Sequence, residues 1–133
     1  MENVLTYGKI VIAVVSGFFT QMLGGYDALL STLIWFVVLD YLSGLIAAYR
    51  LKELNSKVGF LGIAKKFGIF IVVAVAVGVG ELLGGSFPLR EIAVSFYLAN
   101  EALSILENAG RIGLPIPDAL LKALEQLKKD KEE

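Results

Sequence analysis

The stretch ALLSTLIWFVVLDYLSGLIAAY, Ala28 to Tyr49, carries one charged residue, Asp40. A bilayer core of ~30 Å is crossed by about 20 mostly apolar residues in a helix. A helix is also the form in which a single segment satisfies its own backbone polar groups in lipid. Two further apolar runs flank this one, at residues 9–24 and 67–84, and the double glycines Gly24–Gly25 and Gly84–Gly85 mark turns after them. With 56% hydrophobic residues and a mean hydropathy of +0.73, the chain reads as an all-α integral membrane protein in one multi-pass domain over residues 1–133. The first twenty residues lack the basic start and small-residue cleavage site of a secretory leader, so the first apolar run is expected to be retained.

Residues 89–110 pose a different problem, because NEALSILENAG mixes acids and amides with apolar positions. On a helix advancing about 100° per residue, Tyr97, Asn100, Glu101, Ser104, Glu107, Asn108 and Arg111 fall on an arc of roughly 120°. A crossing helix with such a stripe must turn it toward other helices or water. Basic residues support a fourth crossing. If Arg50 to Lys66 is a cytoplasmic loop, four spans place eleven of the twelve lysines and arginines inside, leaving Arg90 outside. The expected spans are therefore about 9–24, 28–49, 67–84 and 89–110, with both termini cytoplasmic.

Beyond the break GLPIP, residues 117–129 form an expected short amphipathic helix striped by Leu120, Leu121, Leu124 and Leu127. It is too short to span, and is expected to lie at the cytoplasmic interface or pack on a neighbour.

Each span presents one narrow side of small or polar residues. Gly17, Gly44, Gly78, Gly80 and Gly84 are expected to serve helix packing, where small side chains let backbones approach. The acids need a different reason, since an Asp at mid-membrane costs ~2.5–3.5 kcal/mol on insertion scales. Asp40 precedes Arg50 by ten residues and Glu101 precedes Arg111 by ten, which puts both acids at one depth. Asp40, Ser43, Asn100, Glu101, Ser104 and Glu107 are the candidates for a hydrated interior or a subunit interface. The alternative is that partners within the same chain satisfy the acids.

Other function classes lose ground. The chain has neither Cys nor His, which removes the thiolate nucleophile and the commonest neutral-pH base and metal ligand. No catalytic, cofactor or metal constellation is evident, and the chain is not read as an enzyme. A formal charge of −1 argues against a nucleic-acid partner.

The segments LDYLSGLIAA (Leu39–Ala48), LNSKVGFLGIAKK (Leu54–Lys66) and NEALSILENAGRIGLPIPDALLKALEQLK (Asn100–Lys128) resemble the phage holins of the toxin-secretion and lysis type from Gram-positive systems. The resemblance implies a protein of the bacterial cytoplasmic membrane that associates with lipid and with copies of itself. It also implies lesions that release a cell-wall hydrolase (an endolysin) or a toxin and collapse the membrane potential. Rival readings are a small ion or solute channel or transporter, and an antiholin that blocks a partner by co-assembly.

Overall fold

A computed structural model describes residues 1–132, all of whose regular structure is helical: α1 (Glu2–Met22), α2 (Ala28–Arg50), α3 (Ser56–Leu82), α4 (Leu89–Ile112) and α5 (Asp118–Glu132). Local chemistry sets the boundaries. The carboxylate of Asp27 accepts from the Leu30 N–H at 2.9 Å and caps α2. The amide oxygen of Asn55 does the same for α3 through Val58 N–H, also at 2.9 Å. Helix α4 ends at Gly113, whose φ of 107° satisfies the last turn in a left-handed conformation open to glycine.

The Asn55 cap overturns one expectation. The loop expected from Arg50 to Lys66 is only Leu51–Asn55, and α3 begins at Ser56 rather than at residue 67. Its three lysines suggested a solvated loop, but they belong to a helix whose apolar positions continue from Phe60 through Ile63 to Phe67. Helix α1 likewise starts at Glu2, earlier than Lys9.

Helices α2, α3 and α4 form the bundle. Leu33 and Val37 of α2, Ile69 and Val73 of α3, and Val94 of α4 make its buried core. Helices α2 and α4 run parallel, in register over their whole length. Arg90 meets Asp27 at one end, and Arg111 meets Glu53 at 2.8 Å just past the other. Helix α3 runs antiparallel between them in the chain. Helix α1 has no buried residue and touches the bundle only through its last turns, where Phe19, Met22 and Leu23 approach Phe67, Phe70 and Ile71 of α3. Helix α5 turns back along α4, with Leu124 and Leu127 facing Leu98, Ala99 and Ala102.

The outer surface is apolar to a degree no water-soluble bundle tolerates. Trp35 is 64% exposed, Phe67 68% and Ile71 64%, on contiguous faces of α2 and α3. Helices α1, α2 and α3 are each long and apolar enough to cross a membrane. Helix α4 has the length, at 24 residues, but Arg90, Glu91, Glu101, Glu107 and Arg111 lower its apolar content. The chain is a membrane protein whose all-helical fold contains three strongly apolar spans.

Candidate functional site

Halfway along the bundle, three helices meet at one ammonium group. Lys66 Nζ of α3 donates to Asp40 Oδ2 of α2 and, at 2.8 Å, to Glu101 Oε2 of α4. The acids are almost wholly buried, whereas Lys66 keeps a fifth of its side chain exposed. Asn108, two helical turns beyond Glu101 on the same side of α4, completes the arrangement. Its amide Nδ2 donates to Asp40 Oδ1 at 2.9 Å, to the Asp40 carbonyl at 3.2 Å and to Ser43 Oγ at 3.1 Å. Ser43 Oγ in turn donates to the Asp40 carbonyl at 3.1 Å. Among the described residues, no buried side-chain polar atom lacks a partner. That is the condition under which buried charge is tolerated in a low-dielectric interior.

The sequence fixes this meeting point through helix length. Ten residues separate Asp40 from Arg50 and Lys66 from Ser56, or about 15 Å of helix on either side of a short loop. Nearby, Tyr41 OH donates to the Gly59 carbonyl at 3.4 Å and its ring lies over Gly62, where an added Cβ would come within 3.2 Å. Gly59 and Gly62 thus let α3 approach α2 just where Lys66 must reach.

The expected site residues divide into two sets. Asp40 and Glu101 lie inside the chain, paired with Lys66. Ser43, half-buried, belongs to the same network. Asn100 and Ser104 are partly exposed and Glu107 is exposed, on the flank of α4 beside the cluster. One stripe read from the sequence thus has an inner edge bonded to the bundle and an outer edge open to the surroundings. Lys66 and Asn108 were not among the expected site residues. The Asn55 cap was the signal that could have drawn Lys66 into the bundle, because it starts α3 early enough to carry that lysine to the depth of Asp40.

The packing glycines divide as well. Gly44 lies against Asn108 Nδ2, 3.5 Å from where a Cβ would stand, and Gly80 borders the Phe87–Leu89 turn. Gly17 and Gly78 meet nothing within the chain, and Gly84, with φ of 71°, is a turn residue beyond the end of α3. The expectation of helix packing at Gly84 is therefore corrected: its backbone conformation, rather than its size, is what glycine supplies.

A second polar cluster closes one end of the bundle. The guanidinium of Arg90 donates through Nε to the Leu23 carbonyl at 2.6 Å, through Nη2 to the Gly25 carbonyl at 3.0 Å, and as a fork to both Asp27 oxygens. It thereby joins the end of α1, the start of α2 and the start of α4. An added Cβ on Gly24 would fall 2.5 Å from the Arg90 side chain, and φ there is 84°, so geometry and space both require glycine. The Arg90 hydrogen bond, with the Leu30 N–H second, holds the Asp27 carboxyl well below the ordinary value of 3.8, at about 2.

A family model described as the bacteriophage holin family matches residues 17–129. The chain is 43% identical over 132 residues to an uncharacterised 14.9 kDa protein from the region 3′ of nagH in Clostridium perfringens, covering 98% of this chain and 100% of that protein. It is 43% identical to an uncharacterised protein of Listeria monocytogenes, over 90% of this chain and 84% of that one. A probable holin of Bacillus phage phi105 is 34% identical over 96 residues, 72% of this chain and 71% of its own length. No solved structure gives a significant match.

Proposed function

This chain belongs to the bacteriophage holin family, a family of membrane-permeabilising proteins rather than enzymes, and from that premise we propose that it perforates the bacterial cytoplasmic membrane. Many copies assemble with lipid around them, and at a set moment they open lesions. The lesions dissipate the membrane potential and release a cell-wall hydrolase or a toxin from the cytoplasm. Helix α4 acts as a fourth crossing, with both termini on the cytoplasmic side.

The observation that carries this reading is the two-sided polarity of α4. Its inner edge, Glu101 and Asn108, is bonded to α2 and α3. Its outer edge, Asn100, Ser104 and Glu107, keeps contact with the surroundings. A helix paired end to end with the apolar α2 occupies the same thickness of membrane as α2. Polar groups on its outer edge then require either water or another copy. One chain is too small to enclose a wide passage. A ring of chains can do so, with the apolar faces of α1, α2 and α3 toward lipid and the outer edge of α4 toward the opening or the next copy in the ring.

The test is release from vesicles of phosphatidylglycerol and phosphatidylethanolamine containing a small dye and a folded protein. Release of both, together with loss of potential in cells at the moment of lysis, is the expected result. Passage of ions alone would replace the lesion by a narrow channel. Growth and potential unaffected by induction would overturn both, and delayed lysis by another holin on co-expression would assign the antiholin role.

A further inference from the structure

Of the two placements expected for α5, at the cytoplasmic interface or packed on a neighbour, the fold has the second: it lies along α4. Its Leu124 and Leu127 share an apolar crevice with Ser95, Leu98, Ala99 and Ala102 of α4 and Phe36 of α2. Leu98 and Ala102 bracket Glu101, so the contact is level with the Lys66 cluster, halfway along the bundle. The opposite side of α5 presents Lys122, Glu125, Gln126, Lys129 and Asp130, all exposed. Gln126 Nε2 donates to Asp130 Oδ1 at 2.8 Å along that side. A helix docked at this depth with charges outward cannot face acyl chains, because lysine, glutamate and aspartate are each strongly disfavoured there. Its apolar side is partly covered by α4, through Leu124 and one flank of Leu127, which stays 49% exposed. The surroundings of its polar side must therefore be aqueous.

We propose that α5, folded along α4, forms the water-facing wall of the lesion, with Lys122, Glu125, Gln126 and Lys129 toward the opening and Leu124 and Leu127 anchoring it to the bundle. This rests on the lesion reading above and gives the wall its own residues. In a membrane without lesions that polar side has no water at mid-depth, and α5 leaves α4 for the cytoplasmic surface, where its leucines meet the interface and its charges meet solvent. The turn Gly113–Pro117 is the joint. Docking of α5 accompanies opening and supplies a broad charged surface that α4 alone lacks.

The chain contains no cysteine, so single thiols report without background. Full-length Gln126→Cys is placed in phosphatidylglycerol and phosphatidylethanolamine vesicles, lesions are recorded electrically, and a bulky, charged, membrane-impermeant thiol reagent is added. Trp35→Cys, on the lipid-facing side of α2, is the comparison. Expected are fast reaction at Gln126→Cys, slow reaction at Trp35→Cys, and a fall in conductance of roughly twofold or more for the first only, since bulk and charge on a pore wall obstruct flow. Conductance unchanged after complete modification would overturn the proposal. In Leu98→Cys/Leu127→Cys, a disulfide locking the hairpin is expected to leave open lesions conducting. Conductance lost on oxidation and restored by reductant would overturn it. Absence of any conductance from the unmodified chain would instead defeat the lesion reading itself, and the wall with it.

Discussion

Asp27, the cap of α2, and Arg90, in the first turn of α4, are joined by a two-pronged bond of 2.7 and 3.1 Å between residues 63 positions apart. This pairing sets the register in which α2 and α4 run side by side. Because Asp27 also caps its own helix, its charge contributes twice at one place.

The pH response of this pair follows from the carboxyl's position, about 2 in the fold against an ordinary 3.8. A group lowered on folding contributes stability that is complete above its unfolded value and is lost as pH falls through its folded one. Asp27→Asn keeps the cap but removes the charge. The thermal midpoints of the two proteins in detergent micelles are expected to differ by a constant amount above about pH 4 and to converge toward pH 2. A gap that persists undiminished at pH 2 would contradict the assignment. Asp27 is half exposed, so the gap itself is expected to be modest.

Lys66→Met leaves two buried carboxylates facing each other without their cation. Breaking a buried pair from one side costs about 3–5 kcal/mol. The variant is expected to accumulate poorly in membranes and to unfold at lower temperature. Lys66→Met combined with Asp40→Asn and Glu101→Gln removes the charges together, and should recover most of the membrane-extracted yield. A triple variant no better than the single one would show that the cluster's charge balance is unimportant.

Asn108 supplies donors that Asp40 and Ser43 accept. Asn108→Ala is expected to cost about 1–3 kcal/mol, the range for leaving a buried acceptor unpaired. Asn108→Asp puts a third carboxylate against Asp40 and should be the more damaging change. Thermal unfolding of the two variants side by side checks the order, and equal midpoints would mean that the amide is a spacer.

Topology is checked with single cysteines at Ser86 and Leu114, in the turns before and after α4. Ser86→Cys is expected to react with an impermeant reagent from outside, before lysis, and Leu114→Cys only after the membrane is opened from the cytoplasmic side. Reaction of both from the same side would rule out α4 as a crossing.

The parts of the fold legible in the sequence were those with local causes. The apolar run from Ala28, the glycine pairs closing α1 and α3, and the polar stripe of α4 each announce themselves within a few residues. The start of α3 was missed because Lys57, Lys65 and Lys66 look like loop residues until a remote partner is known. For Lys66 those partners are 26 and 35 positions away. The depth match of Asp40 and Glu101 was readable from helix rise, but the lysine between them was not. Nor could a projection say that Glu101 and Asn108 face inward while Glu107 faces outward, because both edges of one arc are equally polar. The packing of α5 on α4 depends on the turn at Gly113, whose direction periodicity does not encode.

The lone ammonium of Lys66 holds partners on both of the other bundle helices, so neither can slide past α3 without stranding an anion. The trio consequently behaves as a single solid stave. Any widening of an aperture must come from rotating, recruiting or spreading whole staves, with the barrel's diameter governed by their number.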